Sequence, residues 1–224
     1  MSIVLWIVAI ILFLILVYVL SLLFSGTTTL STYADATVPT VIPAKSITDA
    51  TALNYGYSIW IYIDNWSYAY GGTPKQIFNR GSNPIVSLGS VDNALTTTVK
   101  LADDLSTATC TVPNIPLQKW TNIIVTLNDK SLDTYLNGKL VKTCVLSSPP
   151  ATVSSTTDVN LTPSGGFAGF TARFKYWGSA VNPQQAWNVY KQGPGGNLLT
   201  SFFNQYSLQL NFLRGKETKA SITI

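Results

Sequence analysis

An all-β fold, a two-sheet antiparallel sandwich of jelly-roll type, is what the sequence predicts, and three observations predict it. Around a dozen short segments rich in Val, Ile, Thr, Tyr and Trp are separated by turn residues. One short helical pattern stands near the C-terminus, apart from the apolar N-terminal run. Serine and threonine fill about one position in five and charged residues only 11%, which suits solvated turns on a sandwich better than a helical bundle.

The elements follow in chain order. Residues 3–24 carry no charged side chain, and Ser21 alone interrupts a run of Ile, Val, Leu, Phe, Trp, Tyr and Ala. As a helix this run is about 33 Å long, enough for a hydrocarbon core of about 30 Å. The sequence therefore predicts one N-terminal transmembrane helix, a single-pass anchor over residues 1–24. It would be embedded through side chains such as Ile3, Trp6, Phe13, Tyr18 and Phe24, with the lipid bilayer as partner. A cleaved leader fits less well. No Lys or Arg precedes the run, the run exceeds about 15 residues, and Leu23-Phe24-Ser25-Gly26 offers no small-x-small cleavage site. Flanking charge sets no orientation, since the first basic residue after the run is Lys45.

Residues 25–45 are rich in Thr and Ser, contain Pro39 and Pro43, and show no period, so they read as a tether. The sandwich domain is assigned to 46–224. Within residues 58–64, Ile59, Ile61 and Ile63 point to one face while Trp60 and Tyr62 point to the other. Further strands are expected over 76–80, 85–88, 95–101, 108–112, 122–127, 132–136, 140–145, 159–161, 169–177 and 207–213. Asn137-Gly138 predicts a two-residue hairpin, because a type I′ turn needs positive φ at both central positions. Asn182 predicts a helix N-cap with Pro183 in the first turn, the helix running over 184–190 and stopping at Gly193. The alternating segments at 207–213 and 221–224 are expected to complete a sheet, or else to lie along a neighbour's edge.

The net charge of +4 is spread thinly, without the basic stripe that nucleic acid needs, so no nucleic-acid partner is expected. The chain has no histidine and two cysteines, Cys110 and Cys144, neither in a CxxC pair, which argues against zinc. A disulfide between them requires Cα atoms within about 7 Å, which spacing alone leaves open beside the reading of two separate buried thiols.

The order of motifs resembles the concanavalin A-like lectin/glucanase superfamily, in its laminin-G-like form. The resemblance rests on residues 57–62, on Ile77-Phe78-Asn79-Arg80-Gly81, and on the stretch 115–126 around Trp120. It continues through Asp133-Thr134-Tyr135-Leu136-Asn137-Gly138-Lys139 and through Gly166-Phe167-Ala168-Gly169-Phe170 into the helix at 183–190. The superfamily resemblance implies a jelly-roll sandwich, a fold that hosts lectins, glycanases, adhesion modules and structural proteins. The arrangement of anchor, Thr-rich segment and one such domain is also similar to anchored structural proteins of large DNA viruses. That implies a minor capsid protein or virion membrane protein, placed between an internal membrane and the capsid.

Glycan-cleaving members carry clustered carboxylates, since hydrolysis needs two of them about 5–10 Å apart. Here Glu217 is the sole glutamate, so no enzyme activity, no catalytic residue and no cofactor are expected. No DxDxDG-type loop occurs, and no metal site is expected either. The residues that stand out for contact are Trp60, Tyr62, Trp66, Tyr68 and Tyr70, which crowd together before Gly71-Gly72. Aromatic faces stack on sugars, and they also fill protein interfaces. The expected function is thus a membrane-anchored structural and protein-binding module with capsid or other virion proteins as partners. A membrane-anchored lectin or adhesion protein that binds glycans is the alternative.

Overall fold

A computed structural model of the chain describes residue 6 and residues 10–16, 27–103, 106–195, 209–214 and 217–223. After a helical segment α1 (residues 10–16) come β1 (Thr27–Asp35), β2 (Thr40–Ile42), β3 (Tyr55–Asn65), β4 (Lys75–Asn79) and β5 (Ile85–Leu88). They are followed by β6 (Leu95–Lys100), β7 (Thr107–Val112), β8 (Thr121–Asn128), β9 (Ser131–Leu136) and β10 (Lys139–Val145). The last elements are β11 (Val159–Leu161), β12 (Ala168–Trp177), helix α2 (Pro183–Lys191), β13 (Gln209–Arg214) and β14 (Glu217–Thr223). The first sheet has the order β1-β12-β3-β8-β9-β10 and the second β2-β11-β4-β5-β6-β7, with every pairing antiparallel. This is the two-sheet sandwich that the sequence predicts.

The core lies between the sheets and is set by strand alternation. Ile59, Ile61 and Ile63 of β3 are buried, as are Ile123, Val125 and Leu127 of the neighbouring β8. Across the gap the second sheet contributes Ile77, Phe78, Val86, Leu88, Leu95 and Val99. Phe78 links the two layers, its ring 4.8 Å from that of Phe174 and 5.1 Å from that of Tyr57. Arg80 is also buried, and its guanidinium finds carbonyls: Nε donates to Thr157 O at 3.2 Å and Nη2 to Ser154 O at 3.3 Å. Beside it the hydroxyl of Tyr55 donates to Asn83 Oδ1 at 2.6 Å.

Two segments depart from the sequence expectation. Residues 27–42 are part of the sandwich, not a tether: β1 and β2 form one edge of each sheet, with Thr27 opposite Trp177 and Asp35 opposite Phe170. The period of β1 was hidden by a bulge between Thr29 and Ser31, although Leu30 and Ala34 still pack on the core. Strand β2 is only three residues long and is bracketed by Pro39 and Pro43, which lie outside its ladder. Strands β13 and β14 complete neither sheet; they pair with each other, Gln209 opposite Thr223. A local hairpin closes a far shorter loop than pairing with a distant strand, at lower entropic cost.

The expected anchor falls mostly outside the described residues, Ile3, Tyr18 and Phe24 among them. Trp6 and Phe13 are helical and lie 59% and 63% exposed. Among the described residues no helix is long and apolar enough to cross a membrane.

Two local features tie the sandwich together. Asn137 and Gly138 adopt φ of 50° and 74° in the β9–β10 turn, which tucks beneath α2. A Cβ on Gly138 would lie 2.9 Å from Tyr190 Cβ and 3.1 Å from Trp187 Cα, so glycine is required by both backbone and neighbour. Cys110 on β7 and Cys144 on β10 form a disulfide with Cα atoms 6.0 Å apart. These strands are edges of opposite sheets, and the other two edges, β1 and β2, are joined by residues 36–39. Both open sides of the sandwich are therefore closed covalently.

Replacing both cysteines by alanine should lower unfolding free energy by about 3–4 kcal/mol, the loop-entropy value for a sequence separation of 34. Urea denaturation of the double variant measures this; a loss below about 1 kcal/mol would show that the link constrains little. Gly138→Ala should cost at least about 1 kcal/mol in the same assay, through its left-handed φ and the crowding from α2.

Candidate binding surface

The outer face of the first sheet carries the candidate site, and its two ends differ. At the end where β1 begins, α2 lies over the sheet. Asn182 starts the helix with a capping box: its Oδ1 accepts from Gln185 N at 2.9 Å, while Gln185 Oε1 accepts from Asn182 N at 2.9 Å. The helix buries Ala186 and Val189 against Ile124, Tyr135, Trp177 and Val181, a second apolar cluster outside the main core. Its last turn is held by Arg173, whose Nη1 donates to Gln192 O at 3.0 Å and Gly193 O at 2.8 Å. Trp60 belongs to this region. It is 4% exposed, stacked on Tyr190 at 5.8 Å and 19°, so it supports the helix and offers no contact surface.

The opposite end of the same face is aromatic, and among the described residues no helix lies over it. Phe170 stands opposite Tyr62 in the β12–β3 ladder, their rings 6.5 Å apart. Tyr33 of β1 stacks on Phe170 at 5.5 Å and 23°, and Trp120, just before β8, lies 5.6 Å from Tyr62 and 6.4 Å from Tyr33. Tyr33 is 60% exposed and Phe170 36%; Tyr62 and Trp120 are half-buried. The segment that presents Trp120 is pinned by Gln118, which takes φ of 53° and donates its backbone N–H to Ile63 O at 2.8 Å. Four rings from four chain segments thus form one platform.

The β3–β4 loop adds a third setting. Trp66 Nε1 donates to Val91 O at 3.0 Å, and its ring lies 4.2 Å beneath Lys75 Nζ. Lys75 is buried and donates to Ser90 O at 3.2 Å; burial holds its ammonium below the usual lysine range. Tyr68 and Tyr70 are 38% and 59% exposed. The five aromatics singled out by sequence therefore separate: Trp60 is buried under α2, Tyr62 sits in the platform, and Trp66, Tyr68 and Tyr70 occupy the loop. Tyr33, Trp120 and Phe170 were missed. The register of four strands brings them together, and a sequence read segment by segment carries no such signal.

Between α2 and strands β1 and β12 runs a groove of about 600 Å³, lined by Thr27, Thr29, Lys175, Trp177, Gln185, Asn188, Val189 and Gln192. Lys175 Nζ donates to Gln192 Oε1 at 3.3 Å. Burial first, and then the Arg173 guanidinium, push its pKa down to about 8. Among the described residues no carboxylate lines the groove. Among the described residues no cluster of three His, Cys, Asp or Glu side chains is placed to hold a metal ion.

Comparison with known proteins places this architecture. No curated protein sequence matches the chain. Among solved structures it is similar to the binding domain of botulinum neurotoxin serotype G, at 16% identity and a TM-score of 0.51, over 62% of this chain and 36% of that one. It is also similar to the binding domain of botulinum neurotoxin DC in complex with rat synaptotagmin II (15%, TM-score 0.56, 69% and 40%). A third is the serotype D ligand binding domain in complex with N-acetylneuraminic acid (11%, TM-score 0.57, 75% and 42%). At these identities the likeness is one of fold, and the match spans less than half of each of those domains. Residues 31–187 match the laminin-G-like family model of the concanavalin A-like lectin/glucanases superfamily. The chain, a lectin-like jelly-roll domain, belongs to that superfamily.

Proposed function

We propose that the chain is a non-enzymatic, membrane-anchored binding module that engages a partner through the aromatic end of its first sheet. The observation that carries this reading is the polarity of the molecule. Strand β1 begins at Thr27, three residues after the apolar run 3–24 ends, so Thr27 lies within about 10 Å of the end of that run. Tyr33 is six residues further along β1, about 20 Å away, and Phe170, Tyr62 and Trp120 stand beside it. An anchor at one end and an exposed aromatic platform at the other suit a protein that bridges a bilayer to something above it. Helix α1 supports the anchor: Ile10, Ile11, Leu12, Phe13, Leu14, Ile15 and Leu16 are each at least 50% exposed, so it is apolar on every side. A single glutamate and no histidine in the whole chain support the absence of acid–base chemistry.

The setting we favour is a virion, with the module linking an internal membrane to capsid protein. Its support is the similarity of the chain's organisation to anchored structural proteins of large DNA viruses. A second reading, a lectin, is favoured by the platform itself, because stacked tyrosine and tryptophan rings suit the apolar face of a sugar. Structures sharing this fold include one bound to a protein and one bound to N-acetylneuraminic acid, so both classes of occupant are compatible with the architecture.

Alkaline carbonate should leave the full chain in the vesicle pellet; release into the supernatant would overturn the anchor. Cross-linking in the native assembly should join Lys119, beside Trp120, to a repeating coat protein. Cross-links confined to non-lattice proteins would remove the capsid role. Trp120→Ala should weaken partner capture by at least about tenfold, the usual scale for a buried aromatic anchor. If it instead abolishes retention on a glycan array while protein capture is unchanged, the lectin reading replaces the first.

A further inference from the structure

We propose that the groove between α2 and strands β1 and β12 is a docking site for the phosphate-bearing headgroup of a lipid in the bilayer that holds residues 3–24. This rests on the anchored reading of the preceding subsection. Covalent reach supplies the first argument: Thr27 lines the groove and, being three residues from the apolar run, lies within about 10 Å of its end. A groove in that position is within reach of the headgroup layer.

Chemistry supplies the second argument. Among the described residues the walls offer the ammonium of Lys175, the amides of Gln185, Asn188 and Gln192, and the hydroxyl of Thr29, with no carboxylate among them. That is a donor-rich set around one cation, matched to a phosphate and its glycerol oxygens. The third argument is electrostatic. Lys175 donates to one amide oxygen, Gln192 Oε1, and both burial and Arg173 work against its charge. An anion seated beside Nζ offsets both effects. Among the groups that face it, Arg173 is occupied with Gln192 and Gly193 at the end of α2 and acts as a second positive charge behind the site. Asn188 and Gln185 are exposed on α2, so the groove is open to a headgroup entering from the helix side.

The test reads acetylation of individual lysines by mass spectrometry, at pH 8, on the full chain in dodecyl maltoside micelles with and without phosphatidylglycerol. An anion that restores about a tenfold preference for the charged amine lowers the reactive neutral fraction near this pKa about fivefold. Lys175 should slow by that factor on adding the lipid, while exposed Lys139 and Lys142 keep their rates. Asn188→Glu, an exposed helix position that places a carboxylate in the groove, should remove the effect with the helical circular dichroism unchanged. An unchanged Lys175 rate overturns the proposal, and so does equal slowing by inorganic phosphate alone at the same concentration. Carbonate extraction separates the two readings. A chain retained in the pellet but unprotected at Lys175 loses the groove and keeps the anchor; a chain released but protected keeps the groove and loses the anchor.

Discussion

Strict alternation along β3 is the constraint on which the rest of the molecule depends. Its odd-numbered residues from Tyr55 to Ile63 are buried between the sheets, and its even-numbered residues face outward. A slip of one residue would put Trp60 and Tyr62 into the core and three isoleucines onto the surface, so the hydrophobic effect fixes the register firmly. With that register set, β12 and β8 are locked on either side of β3, and the outer face acquires its composition. The helix, the groove and the aromatic platform all sit on the face that alternation leaves outside.

Much of this was legible from residues alone. The period-2 runs located β3 to β12 closely, Asn137-Gly138 marked its hairpin, and Asn182-Pro183 marked the start of α2. These signals are local, and the structure obeys them. What escaped is non-local. The bulge in β1 cancelled its alternation, and the edge position relaxed the demand for apolar residues on both sides. Proximity in sequence also misled: Trp60 and Tyr62 share a face two residues apart, yet one lies under Tyr190 and the other in the platform. Their fates are decided by a helix more than a hundred residues downstream. The pairing of Cys110 with Cys144, left open beside two separate thiols by the sequence, is decided non-locally too, by which strands become sheet edges.

The replacement of an expected tether by β1 changes the mechanics of the proposed role. A flexible linker would let the domain sweep a hemisphere above the bilayer and meet partners at varied angles. With β1 already paired to β12 at Thr27, only residues 25 and 26 separate the apolar run from a ladder residue. On the proposed reading the sandwich is a post of fixed height, and the platform meets its partner at one level. Such a device favours a partner that is itself held at a constant distance from the membrane, as a lattice is, over one diffusing freely.

The covalent link between β7 and β10 has a further consequence for damage. The connection from β7 to β8 is surface chain, with Pro113, Asn114, Leu117, Gln118 and Lys119 exposed. A protease that cuts there severs the backbone between β3 and its neighbour β8, yet both halves stay tethered through Cys110 and Cys144. The ladder can then re-form within one molecule, at an effective concentration set by the bridge, with no second-order search. A nicked molecule would run as a single species until reductant is added, and its wound would be invisible in the folded state.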